Sequence, residues 1–159
     1  MFKMPNQNLT KRQKVISYLI SRLGTLPDGR KKIMKLMFLI EHYDLNKNKV
    51  TNSRFLHTNF IIYKYGVFSF EVQEDYSKLR REGIISEYPI KVNQKIPDSG
   101  LENDVKSKVD SIITKFGHKN GNELELETLE MLGLTIDSKI NYFGEDISDL
   151  LKLRRVKNL

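Results

Sequence analysis

The chain has 159 residues, enough to close one hydrophobic core, and its 39% hydrophobic and 30% charged content is that of a globular chain and not a disordered one. It holds no cysteine, which excludes disulfides and thiolate chemistry outright. The net charge of +7 is unevenly spread: residues 1–50 carry 11 Lys/Arg against 3 Asp/Glu, residues 51–100 carry 7 against 6, and residues 101–159 carry 9 against 11.

In chain order, residues 1–9 are expected to form a loose tail, with no apolar stretch of signal-peptide type. Thr10 suits the N-cap of a helix reaching Leu23, where Val15, Leu19 and Leu23 recur on one face beside Ile16 and Ile20, and Gly24 ends it. Gly24 to Gly29 is a short connection of turn residues. The densest apolar run follows: Ile33 to Ile40 has seven apolar residues of eight, interrupted only by Lys35. A helix apolar almost all round has to be enclosed on several sides. Residues 29–46, capped by Asp28, are therefore predicted to be a central helix. The run is far shorter than the roughly 18 apolar residues of a membrane span.

Phe55 to Tyr65 is rich in aromatic and β-branched residues and predicts one short strand closed by Gly66. Alternation would put Tyr63 and Tyr65 on one face, while Gly66 allows a backbone angle that Val or Phe would resist. Ser69 caps a helix from Phe70 to Glu82 with Val72, Tyr76 and Leu79 on its inner face and Gly83 as its stop. Ile84 to Ile96 alternates as a β-ribbon, interrupted at Pro89. A helix running straight into a ribbon is the habit of a winged-helix domain. Pro97 to Gly100 reads as a turn, Leu101 to Phe116 as a helix stopped by Gly117, and Glu123 to Leu132 as a helix capped by Asn122. The last of these carries Glu123, Glu125, Glu127 and Glu130 on a predicted solvated face. Gly133 to Gly144 is irregular, and Asp146 to Arg155 is a short final helix. There is no repeat, low-complexity tract or clean linker. The expected fold is one mainly α (α+β) domain over residues 1–159: several helices around a buried central helix, winged-helix-like, with a small β-ribbon.

Three stretches, in order, resemble the SocA-like antitoxin, or Panacea, domain family. They are Lys35-Leu36-Met37-Phe38-Leu39-Ile40, then Tyr63-Lys64-Tyr65-Gly66-Val67-Phe68-Ser69-Phe70-Glu71-Val72, and finally Lys115-Phe116-Gly117 followed by Asn122 to Thr128. The resemblance spans residues 30 to about 132. Tyr63 stands where the family favours Trp, Val67 where it favours Pro, and Leu129 where a His would follow Thr128. The resemblance implies a protein-binding module that sequesters a toxin or effector, with delivery to a protease in some relatives.

Catalysis has little footing. His42, His57 and His118 lie far apart in no metal-ligand spacing, and Gly29-Arg30-Lys31-Lys32 lacks the spaced glycines and Ser/Thr of a phosphate loop. Asp98, Asp104 and Lys106 match a nuclease set only loosely, because the second half falls at a helix start. No enzyme activity, metal or cofactor is therefore expected. A protein partner is expected to use Tyr63, Lys64 and Tyr65, or Glu123 and Glu127 on the acidic helix; the plainer alternative for the Tyr63 block is a hydrophobic corner. The alternative function is a DNA-binding regulator, with contacts from Lys11, Arg12, Lys14, Arg30, Lys31 and Lys32. The competing reading is that these basic residues only solvate helix ends. The helix from Phe70 presents Glu71, Glu74 and Asp75, which is adverse for a recognition helix facing a polyanion. A cytoplasmic location and a homodimer are compatible with the sequence. Lys35 poses its own question: a snorkelling surface residue, or the partner of a buried carboxylate or Tyr hydroxyl.

Overall fold

A computed structural model describes residues 9–93 and 100–157, with side chains through residue 153. Helix α1 (Lys11–Leu23) begins in a capping box: Gln13 N donates to Thr10 Oγ1 at 3.2 Å and Thr10 N donates to Gln13 Oε1 at 3.0 Å. It ends at Gly24, whose φ of 84° suits a residue without Cβ. Leu9, expected in the loose tail, belongs to the core.

Helix α2 (Arg30–His42) follows. Nine of its thirteen residues are buried, so no single apolar stripe describes it. It packs against α1 and five later elements, β1 (Tyr43–Asp44), β4 (Gly66–Phe68), α3 (Phe70–Arg81), α4 (Asn103–Phe116) and α5 (Gly121–Met131), and is the centre the apolar run predicts. Two details differ from expectation. The cap position is Gly29 without a side-chain bond, not Asp28. The helix also stops at His42 and not at residue 46, because Tyr43 turns extended and pairs with Val50 of β2 (Lys49–Val50). Asp44 Oδ1 accepts from the backbone N–H of Asn46 and Lys47, and Asn48 adopts a φ of 53°. Asp and Asn at these positions favour the turn over a further helical turn.

The predicted single strand Phe55 to Tyr65 is largely irregular. Only Ile61–Tyr63 (β3) is a strand, and Gly66 opens its partner β4 instead of closing the segment. The outer edge of β3 bonds to residues 143–147: Ile62 N donates to Glu145 O, and Gly144 N to Ile62 O. Helix α3 starts on the Ser69 cap, with Val72, Tyr76 and Leu79 buried as predicted. It leads through Gly83 into hairpin β5 (Ile85–Ser86) and β6 (Lys91–Val92), with Pro89 in the turn between the strands. That turn is tied to the α1–α2 connection by reciprocal backbone bonds between Leu26 and Ile90. The end of the predicted ribbon and the turn at Pro97 lie outside the described residues.

Helix α4 starts two residues later than expected, and α5 starts two residues before Glu123. The cap of α5 is Asn120, not Asn122: Glu123 N donates to Asn120 Oδ1 at 2.8 Å, and Asn120 N to Glu123 Oε1 at 3.1 Å. The 133–144 stretch contains a 3₁₀ turn, Ser138–Tyr142, and α6 (Ile147–Lys157) ends the described chain. The fold is mainly α, six helices with three small antiparallel hairpins among the described residues. No helix among them is long and apolar enough to cross a membrane.

Candidate functional site

Hairpin β3–β4 turns at Lys64-Tyr65, and Gly66 has a φ of 89°. A Cβ there would also lie 3.2 Å from the Glu125 side chain, so the expected need for glycine holds on two grounds. Tyr65 is in the turn and does not alternate with Tyr63 along one face. Tyr63 instead joins three phenylalanines. Its ring lies 5.4 Å from Phe68, 5.9 Å from Phe70 and 6.2 Å from Phe143, and Phe68 meets Phe70 edge-on at 4.9 Å. Ser69 as N-cap places Phe70 at the first helical position, off the buried stripe of α3, and it is 61% exposed. Phe143 is 42% exposed and Tyr63 37%. These rings form a contiguous aromatic patch on the surface, the residue type enriched where proteins bind one another.

Behind the hairpin, a groove of about 370 Å³ lies between α2, α3 and β4. Its walls include Ile33, Met34, Phe68, Val72 and Tyr76, and α2 adds Arg30, Lys31 and Lys35. Lys35 does not snorkel: the residue is 2% exposed and its Nζ donates to the Val67 carbonyl at 2.8 Å. Burial pushes its pKa down from 10.5 to about 7, with Glu125 opposing the shift and Lys31 and Lys139 assisting it. Glu125, expected on a solvated face, is 5% exposed and is the keystone of this region. One of its carboxylate oxygens pairs with Lys31 and the other with Lys139 at 2.5 Å. Burial would raise its pKa, but the hydrogen bonds and charges of Lys139 and Lys31 outweigh that and hold it below the ordinary value. On the far wall, Tyr76 donates to Glu87 at 2.8 Å, and Arg80 pairs with the same carboxylate at 2.6 Å. Burial and the Glu87 carboxylate push the Tyr76 phenol up.

The remaining candidates are scattered. Lys64 is exposed in the hairpin turn, and Tyr65 lies under the Lys31 ammonium, 5.2 Å from ring centre to nitrogen. Glu123 is engaged in the α5 cap and Glu127 pairs with Lys119, so the acidic helix does not present a row of unpaired carboxylates. The basic residues do not form one face either. Arg12 bridges Glu71 and Asp75, and Gln13 donates to the other Asp75 oxygen. Two of the three carboxylates expected to face outward from α3 thus point at α1. Arg30 lies near Glu87 at 3.6 Å and over Tyr76, Lys31 is held by Glu125 and Asn122, and Lys32 donates to the Gly117 carbonyl. Lys11 is exposed and Lys14 partly buried beside Gly100. Asp98 lies outside the described residues. Among those described, no cluster of three His, Asp or Glu has metal-binding geometry.

The family model of the antitoxin SocA-like, Panacea domain matches residues 33–130, more than half of the chain. The chain belongs to this family. The match runs from the first buried residue of α2 to the penultimate residue of α5, and so takes in the hairpin, Glu125 and most of the groove. No curated protein and no solved structure matched the chain. Sequence reasoning missed Phe68, Phe70, Phe143 and the buried state of Glu125. The Ser69 cap carried the signal for Phe70, since it sets the register of α3. Phe143 sits in a segment with no periodic pattern, and Glu125 looked like one of four equivalent acids.

Proposed function

We propose that this Panacea-family chain is a non-catalytic module that captures a toxin or effector protein on the aromatic patch of Tyr63, Phe68, Phe70 and Phe143. The patch carries the reading of the surface; the family's antitoxin character supports the class of partner. Aromatic anchors of this kind dominate protein–protein binding energies, because they bury much area at low entropic cost. Delivery of the captured protein to a protease is a further use of the same surface. Charge placement favours the DNA-binding alternative less: four of its six candidate contacts, Arg12, Arg30, Lys31 and Lys32, are occupied within the fold.

Co-expression with the product of the neighbouring reading frame tests the proposal. The pair should co-purify, and growth arrest by the neighbour should be relieved. The double variant Tyr63→Ser, Phe70→Ser should abolish both effects with an unchanged melting temperature, whereas Glu123→Gln should leave them intact. Failure of any neighbour to co-purify, or full rescue by the double variant, would overturn the reading. Tight binding of mixed duplex DNA at low salt, lost steeply as salt rises, would move the assignment to the DNA alternative.

A further inference from the structure

Four charged groups meet behind hairpin β3–β4: Lys31 and Lys35 from α2, Glu125 from α5, and Lys139 from the 3₁₀ turn. Both oxygens of Glu125 are taken by Lys31 and Lys139. Lys35, fully enclosed, has one acceptor among the described residues, the Val67 carbonyl, for an ammonium that carries three donors. The cluster therefore holds three amines against one carboxylate, and that carboxylate is bonded to the other two amines. Buried charges are ordinarily paired, so this surplus of cation suits the site to a negative group. The same lysine lines the groove, with Lys31 beside it on the α2 wall and apolar side chains around them. Its volume of about 370 Å³ lies within the range of small-molecule sites.

We propose that the groove binds a small amphipathic carboxylate, its carboxylate accepting from Lys35 and Lys31 and its apolar body lying between Met34, Phe68, Val72 and Tyr76. This site is separate from the protein-binding reading and shares only Phe68 with the aromatic patch. The remaining charged and titratable groups of the lining are Asp28, Arg30 and the phenols of Tyr65 and Tyr76; Lys35 also faces Glu125 and Lys139. Lys35 is poised near pH 7, so an arriving carboxylate draws its pKa upward and a proton is taken up with the ligand. Affinity consequently falls as the pH rises above about 7.

Octanoate below its micellar concentration, titrated calorimetrically into the wild-type chain, is the probe. It should bind one to one, at least roughly tenfold tighter than 1-octanol, since a charge-assisted pair is lost with the alcohol. Octylammonium should not bind. Titrations in two buffers of different protonation enthalpy should show net proton uptake at about pH 8, the signature of Lys35. Lys35→Met, which keeps the volume and removes the charge, should erase the preference for octanoate over octanol. Met34→Trp, which fills the groove without touching Lys35, should exclude both ligands. Equal affinity for octanol, no octanoate binding at millimolar concentration, binding without proton uptake, or an undiminished preference in Lys35→Met would each overturn the proposal.

Discussion

Glu41 and Glu125 are both glutamates buried in helices, and the fold answers their charges in opposite ways. Glu41, near the end of α2, faces the irregular stretch before β3. One of its oxygens accepts from Leu56 N at 2.8 Å and His57 N at 3.1 Å, and the other from Thr58 N at 2.8 Å. Those amides belong to a loop with no ladder to satisfy them, and His57 adopts a φ of 59° to bring them in. Glu125 meets lysines from two other elements instead. The first carboxylate shapes a loop through neutral donors that disperse its charge without cancelling it; the second joins α2, α5 and the 3₁₀ turn and leaves a surplus of cation. A buried acid answered by amides is architecture, whereas one outnumbered by amines creates an electrostatic opening that a ligand can fill.

The sharpest way to break this contrast is Glu125→Met. It strips the carboxylate from three clustered lysines and should cost about 3 to 5 kcal/mol in chemical denaturation. Adding Lys35→Met should recover part of that loss, because one of the stranded charges is gone. A cost below about 1 kcal/mol would show that the lysines escape to water and that the cluster is not a unit.

Lys35 itself gives the next effect. Its folded pKa of about 7 lies below the unfolded value of 10.5, so between these limits the unfolded chain binds the extra proton. Its contribution to stability should therefore rise with pH from about 7 to about 10 and be flat below, by up to roughly 4 kcal/mol. Subtracting the profile of Lys35→Met from that of the wild type isolates the contribution, and a flat difference would show that the buried amine does not govern it.

Glu41→Gln should cost about 2 to 3 kcal/mol, since a carboxamide offers one acceptor oxygen where three backbone amides bond to two. Hydrogen exchange at Leu56, His57 and Thr58 should rise more than at α1. Because Glu41 is not among the charges that act on Lys35, Lys35→Met should not alter the cost, and coupling between the two would dissolve the distinction drawn above. The smallest effect separates two neighbouring asparagines. Asn120→Ala should lose about 1 kcal/mol as the true cap of α5, and Asn122→Ala at most about 0.5 kcal/mol as an exposed partner of Lys31.

Much of the fold was legible in the residues because its causes are local. Seven apolar residues in eight require enclosure, and α2 is enclosed. Thr10 and Ser69 cap the helices they precede, and Gly24, Gly66 and Gly83 take the positive φ that punctuation by glycine implies. The ordered Panacea motifs were readable for the same reason, being short runs of adjacent residues. The misplacements were also local in origin: Asn120 and Asn122 are both good caps, and only the capping box with Glu123 separates them.

What only the tertiary structure decided was the fate of charge. Arg12 finds Glu71 and Asp75, Lys31 finds Glu125, and Arg30 finds Glu87, each across more than fifty residues of chain. Periodicity has no reach over such separations. A basic third and the acidic helix therefore read as two exposed surfaces, although Arg12, Arg30 and Lys31 are taken up by acids of α3, the β5–β6 hairpin and α5, and Glu127 by Lys119. Lys35 shows the same limit at one residue. The sequence placed a lysine in an apolar run, but whether its amine reached water depended on α5 and β4 closing over it, and they do.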